Sequence, residues 1–161
     1  MKKWCLIVAI LLFVVLCLSS CGYNSVMCDY LSDADHYKTY TATVVDIKRE
    51  SQSAVLYVIF SSKTEIAPFY GVSENELDKD CSEYIVRLEI VSENDRILCE
   101  NGFYDIIKAG DRLQLQASDW IYQDGEFFYI SSIVHDDIVY LSEADGLENI
   151  VEMMKKNKSF L

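Results

Sequence analysis

Proline occurs once, as Pro68, and glycine only six times among 161 residues. The chain has no internal repeat and no low-complexity block, which excludes repeat arrays and long Pro- or Gly-rich linkers. Histidine occurs twice, and the six cysteines form no C-x-x-C pair and no Cys/His spacing suited to zinc. The patterns G-x-S-x-G, P-loop and H-E-x-x-H are missing as well. No catalytic constellation remains, and the chain reads as a non-enzyme without a cofactor. Positive charge is also short: 14 Lys and Arg stand against 26 Asp and Glu, a net charge of −12. No basic stripe along the chain offsets it. Nucleic-acid affinity rests on neutralising phosphates with Lys and Arg. The composition therefore predicts no nucleic-acid partner, and suits an envelope protein or a cationic ligand better.

What the chain does have begins at its start. Lys2 and Lys3 precede an uncharged apolar run, Trp4 to Leu18, closed by Ser19-Ser20-Cys21-Gly22. This is the layout of an export signal: positive start, apolar middle, small-residue cleavage region. Fifteen residues make about 22 Å of helix against a hydrocarbon core of roughly 30 Å, short for a permanent span. Leu18-Ser19-Ser20-Cys21 resembles the lipobox of bacterial lipoproteins. That resemblance implies cleavage before Cys21, a diacylglycerol on its thiol, and attachment to the outer face of the cell membrane. Gly22 after the cysteine is similar to lipoproteins sent to an outer membrane, where the host has one. An ordinary secretory signal and an uncleaved anchor are the other two readings. Two acyl chains suffice for stable anchoring.

Residues 1–20 thus read as signal peptide, 21–36 as a lipid-anchored tether, and 37–161 as one domain. The 141 residues from Cys21 onward supply one core and not two. Without Lys2 and Lys3, 12 basic residues face 26 acidic ones, a net charge of −14. With Cys21 acylated, Cys28, Cys81 and Cys99 allow at most one disulfide, a Cys81–Cys99 bridge being one option. Cys99, in Ile97-Leu98-Cys99, reads as a small buried hydrophobe.

The domain reads as mainly β. Tyr37 to Glu50 and Ala54 to Phe60 have strand composition. Tyr84, Val86, Leu88 and Ile90 alternate with polar residues, as do Leu113, Leu115 and Ala117 after Gly110-Asp111. Asp124-Gly125 signals a hairpin leading into Glu126–Val134, and Ile138 to Leu141 forms a further short strand. Gly102 to Ala109 suits a short helix. The insertion Ser61–Ser82, with Pro68 and a Ser73-x-x-Glu76 start signal, suits a short helix over a barrel end. A closing amphipathic helix over 143–157 has Ser142 as cap and Leu147, Ile150, Val151 and Met154 on one face. With Ala109-Gly110-Asp111-Arg112-Leu113, this order resembles an OB fold, and the small OB-fold lipoproteins grouped under a tRNA-anti-like name. A five- or six-stranded OB-like barrel with a C-terminal amphipathic helix is expected; a lipocalin would need about eight strands.

Two acidic clusters, Asp29/Asp33/Asp35/His36 and His135/Asp136/Asp137, lack the spaced ligands of a calcium loop, so no metal is expected. The candidate ligand site is the hairpin rim. Trp120 and Tyr122 share a face by period two, flanked by Asp119 and Glu126, where an OB fold frames its ligand. The chain is expected to act as a membrane-anchored, non-catalytic binding or interaction module of the envelope. The alternative is an accessory subunit of an envelope or transport complex with no ligand of its own.

Overall fold

The computed structural model describes residues 26–49, 53–118, 121–122, 125–126 and 128–158. Strand β1 (Tyr37–Arg49) runs through the centre of the sheet. Its first half pairs antiparallel with β4 (Arg112–Ser118), from Tyr37 opposite Ser118 to Thr43 opposite Arg112. Its second half pairs with β2 (Ala54–Phe60), from Ala42 opposite Phe60 to Arg49 opposite Ala54. The two partners lie on its two edges, and on the β2 side it bulges between Val44 and Asp46. A bulge adds bend and twist, which a barrel wall requires.

Strand β3 (Val86–Ile90) follows β2, while β7 (Ile130–His135) and β8 (Ile138–Leu141) extend the sheet beyond β4. The order is β3-β2-β1-β4-β7-β8, six antiparallel strands. One edge of the wall, β3, meets the residues just before β7 at one parallel bridge, Glu89 with Tyr129, where the Glu89 N–H donates to Phe128 O at 2.6 Å, while β8 forms the other edge. This is a partly open, OB-like barrel with one extra hairpin strand. Strands β5 (Ile121–Tyr122) and β6 (Gly125–Glu126) pair separately as a two-stranded ribbon. The hairpin expected at Asp124-Gly125 is therefore present. Gly125 pairs with Tyr122 within the ladder, so the connection is residues 123–124, outside the described residues.

Helices close the barrel. Helix α1 (Lys63–Tyr70) lies in the insertion and starts at Ser62, whose hydroxyl and Glu65 form a capping box. It inserts Ile66, Ala67 and Phe69 into the core and stops at Gly71, which takes the left-handed conformation (φ 64°). The Ser73-Glu76 signal caps only a 3-10 turn, Glu74–Glu76. Between β3 and β4 lie α2 (Ser92–Glu100) and α3 (Phe103–Ile106). The expected helix at 102–109 corresponds to α3, whereas α2 is additional. On α2, Leu98 is fully buried and Cys99 is exposed. Cys99 is thus not the buried hydrophobe its apolar neighbours suggest, because adjacent residues on a helix point about 100° apart. Cys81 and Cys99 are both free, so no bridge joins them.

Helix α4 (Glu143–Lys158) confirms the amphipathic closing helix. The Ser142 hydroxyl accepts the Asp145 N–H at 3.2 Å and donates to its carboxylate at 2.5 Å. Ile150 and Met154 are buried. The buried Asn94 of α2 ties three elements together. Its amide donates to Ile130 O (3.3 Å) and Gly146 O (3.2 Å), and its oxygen accepts from Asn149 Nδ2 (2.8 Å).

The stretch read as a tether is folded in its described part. Residues 26–31 are helical, and Cys28 and Leu31 are buried with Val91, Ile150 and Met154. The Cys28 thiol donates to Met154 O at 3.5 Å, across 126 residues. A single pair of apolar side chains three apart is too weak a pattern to predict this, since its partner surface lies at the other end of the chain.

Candidate ligand face and the neighbouring cleft

In β2, Leu56, Val58 and Phe60 point into the core, which turns Tyr57 and Ile59 outward; both are half-buried. Register then decides what surrounds them. Thr43 and Ile59 are opposite each other, and a regular ladder would next place Val45 opposite Tyr57. The bulge places Asp46 there instead. On the other side Tyr57 pairs with Arg87 of β3. Side chains directly opposite share a face of the sheet. The outer wall therefore carries a row Asp46-Tyr57-Arg87 and beside it a row Lys48-Val55-Glu89.

Within this face Lys48 Nζ stands 5.0 Å from the Tyr57 ring centroid, a cation–π contact. Arg87 Nη2 lies 2.6 Å from Glu89 Oε1. Beyond Glu89 the parallel bridge brings in Tyr129, whose hydroxyl is pushed up to about 12 by burial and then by the Glu89 charge. The row of groups thus runs from a ring with two cations to the strand that follows the β5–β6 ribbon. Charges on it balance: Lys48 and Arg87 against Asp46 and Glu89. No sequence window shows this, because its parts come from three strands and the pairing depends on a bulge.

The bulge also opens a cleft of about 360 Å³ behind β1, bordered by Val45, Arg49, Tyr104 and Lys108. Its edge is pinned by hydrogen bonds from Val44 N–H to Asp111 O (2.9 Å) and from Gly110 N–H to Val44 O (2.8 Å). Arg49 grips the buried Asp95 with two bonds, Nε at 3.1 Å and Nη2 at 3.0 Å, and lies 4.5 Å from the Tyr104 ring centroid. Tyr104 donates to the same carboxylate at 2.7 Å. Burial, then that bond, raises the Tyr104 hydroxyl well above its usual value. Asp95 is thereby saturated, and the cleft's one fork of charge is already committed inside the protein.

Asp119, Trp120 and Cys21 lie outside the described residues. Tyr122 and Glu126 are placed by backbone only, in β5 and β6, with Tyr122 opposite Gly125 and Ile121 opposite Glu126. The acidic clusters are built into local structure. The Asp33 carboxylate accepts the Asp35 N–H at 3.0 Å, and the His36 ring stacks on Tyr30 with centroids 3.5 Å apart. Asp136 and Asp137 take left-handed backbone (φ 49° and 63°), forming the tight turn that joins β7 to β8. Among the described residues no group of three or more His, Cys, Asp or Glu is placed to hold a metal ion. No described helix is long and apolar enough to cross a membrane.

No family model matches the chain, and no curated protein matches it. Among solved structures it is similar to Schizosaccharomyces pombe Pot1pC bound to ssDNA, at 19% identity and a TM-score of 0.39, covering 76% of this chain and 91% of that one. It is also similar to fission yeast Pot1 with ssDNA, at 20% identity and a TM-score of 0.37, covering 80% of this chain and 44% of that one. The expectation of no nucleic-acid partner does not stand beside two neighbours solved with single-stranded DNA, and is withdrawn. The physical reason is that net charge sums the whole surface, whereas contact is made by one face. Lys48 and Arg87 share one face with Asp46 and Glu89, so that face is not acidic although the chain as a whole is.

Proposed function

We propose that the protein is a bacterial lipoprotein, anchored through a diacylglycerol on Cys21, that serves as a non-catalytic binding module at the outer surface of the cell envelope. The observation that carries the anchor is Leu18-Ser19-Ser20-Cys21 directly after an uncharged apolar run. Ligand binding is assigned to the outer wall of β1, β2 and β3 around Tyr57. That wall offers a ring, two cations and two carboxylates in register, on the face where OB barrels receive extended ligands. Such a set fits a partner that presents planar rings for stacking and hydrogen-bonding groups between them.

Cys21→Ala is expected to release the protein from the membrane fraction while leaving its circular dichroism unchanged. Inhibition of lipoprotein processing, followed by mass measurement of the N-terminal peptide, gives the direct check. A membrane-bound protein with an unmodified Cys21 refutes the anchor. For the face, two soluble probes are titrated against tyrosine fluorescence: oligothymidine and a chito-oligosaccharide. Tyr57→Ala is expected to weaken binding of the stacking probe about tenfold, the loss of one stacked ring. If neither probe binds, or if binding survives the substitution, the protein is an accessory subunit with no ligand on this wall.

A further inference from the structure

The helical stretch 26–31 enters the fold at one end of α4. Cys28 and Leu31 pack on Ile150 and Met154, and the Cys28 thiol bonds to Met154 O. Cys21 precedes Val26 by five residues. An extended chain covers at most about 3.6 Å per residue, so roughly 18 Å separates the two at full stretch. A lipid on Cys21 therefore holds the far end of α4 close to the bilayer. The helix is 16 residues long, about 24 Å. Its first turns abut β7, and its later turns carry Ile150 and Met154 into the cluster with Cys28, Leu31 and Val91.

The charges at the anchored end differ from those elsewhere. Lys155 and Lys156 are exposed there. Near them are two carboxylates, Glu152 at 3.9 Å from Lys156 and Glu93, which borders the same cleft as Lys156. Val26, 58% exposed, adds an apolar group. The balance is near neutral, in a mature chain whose net charge is −14. The insertion after α1, by contrast, concentrates Glu74, Glu76, Asp78, Asp80 and Glu83 in ten residues. Anionic lipid headgroups attract lysines held near them, and the field decays within about 10 Å. Lys155 and Lys156 follow directly on Met154, whose carbonyl accepts from the thiol of Cys28, seven residues after Cys21.

We infer that the Lys155/Lys156 end of α4 docks against anionic lipid headgroups, so that the acidic remainder of the domain faces away from the membrane. This rests on the lipid anchor proposed at Cys21. The full-length lipidated protein is reconstituted in vesicles of phosphatidylcholine alone, or of phosphatidylcholine with equimolar phosphatidylglycerol. Acylation of each lysine by an N-hydroxysuccinimide ester is followed by peptide mass spectrometry. Lys155 and Lys156 are expected to react several-fold more slowly on the anionic vesicles than on the neutral ones, while Lys79 and Lys108 react equally on both. Equal rates at Lys155 and Lys156 on the two vesicles, with the protein still vesicle-bound and Cys21 acylated, overturn the docking and leave the anchor standing. A protein that fails to stay on either vesicle, with a free Cys21 thiol, removes both.

Discussion

Gly146→Ala is expected to lower stability by about 3 kcal/mol, although alanine is the better helix former by about 1 kcal/mol. A Cβ built at Gly146 would stand 1.9 Å from Ser131 O and 2.7 Å from its carbonyl carbon. Those are main-chain atoms of β7, so no side-chain rotation relieves the clash. Either α4 moves off the sheet or the strand gives way. Overpacking of this kind typically costs 1–3 kcal/mol and sometimes more, which outweighs the gain in propensity. The same junction carries the Asn94 amide bond to Gly146 O, so a shifted helix also strands a buried donor. At about 1–3 kcal/mol per molar urea, the unfolding midpoint should fall by about 1.5 M. An alanine variant as stable as the parent would mean that α4 rides loosely on β7.

Phe69→Ala should be costlier still. Phe69 is 1% exposed and touches three rings: stacked on Phe60 (centroids 5.0 Å), edge-on to Phe128 (4.7 Å) and tilted against Tyr40 (5.1 Å). It comes from α1, whereas Tyr40 is on β1, Phe60 on β2, and Phe128 precedes β7. Truncating it empties the centre of a four-ring cluster that joins the insertion to both halves of the barrel. Phe-to-Ala changes in cores cost about 3–5 kcal/mol, and the lost ring pairs place this one near the upper end. For a domain stabilised by about 5–15 kcal/mol, that is a large share. Thermal unfolding followed by circular dichroism is expected to show a fall in Tm of more than about 10 °C. A shift of one or two degrees would indicate that α1 is peripheral to the core.

What sequence could tell about this fold follows from where each signal resides. Ala54–Phe60 and Ile138–Leu141 were legible to the residue, because polar turns bound each apolar run. The closing helix was legible because cap, apolar stripe and terminal charges agree. Helix α2 was not, since it buries Asn94 and Asp95 beside Leu98, and its inward stripe looks polar in sequence. Tyr84, expected to begin a strand, instead ends the 3-10 turn Cys81–Glu83; its hydroxyl donates to Asp78 at 3.0 Å. The proposed ligand face was illegible for a different reason. Tyr57, Arg87 and Asp46 are each ordinary in their own strand, and only cross-strand register with a one-residue bulge makes them neighbours. Of the rim expected from the hairpin, β5 and β6 confirm the ribbon, while Asp119 and Trp120 lie outside the described residues.

The seam of the barrel has a mechanical consequence. Among the described residues, β3 meets the run into β7 at a single parallel bridge, Glu89 with Tyr129, in which the Glu89 amide donates to the Phe128 carbonyl. Every other junction of the wall is a multi-rung ladder. The wall is therefore narrowest in main-chain pairing at this joint, next to the Tyr57 row. What the joint lacks in paired backbone is made up by the fully buried Phe128 beside it, whose edge-on contact with Phe69 bolts the seam to the helix of the insertion.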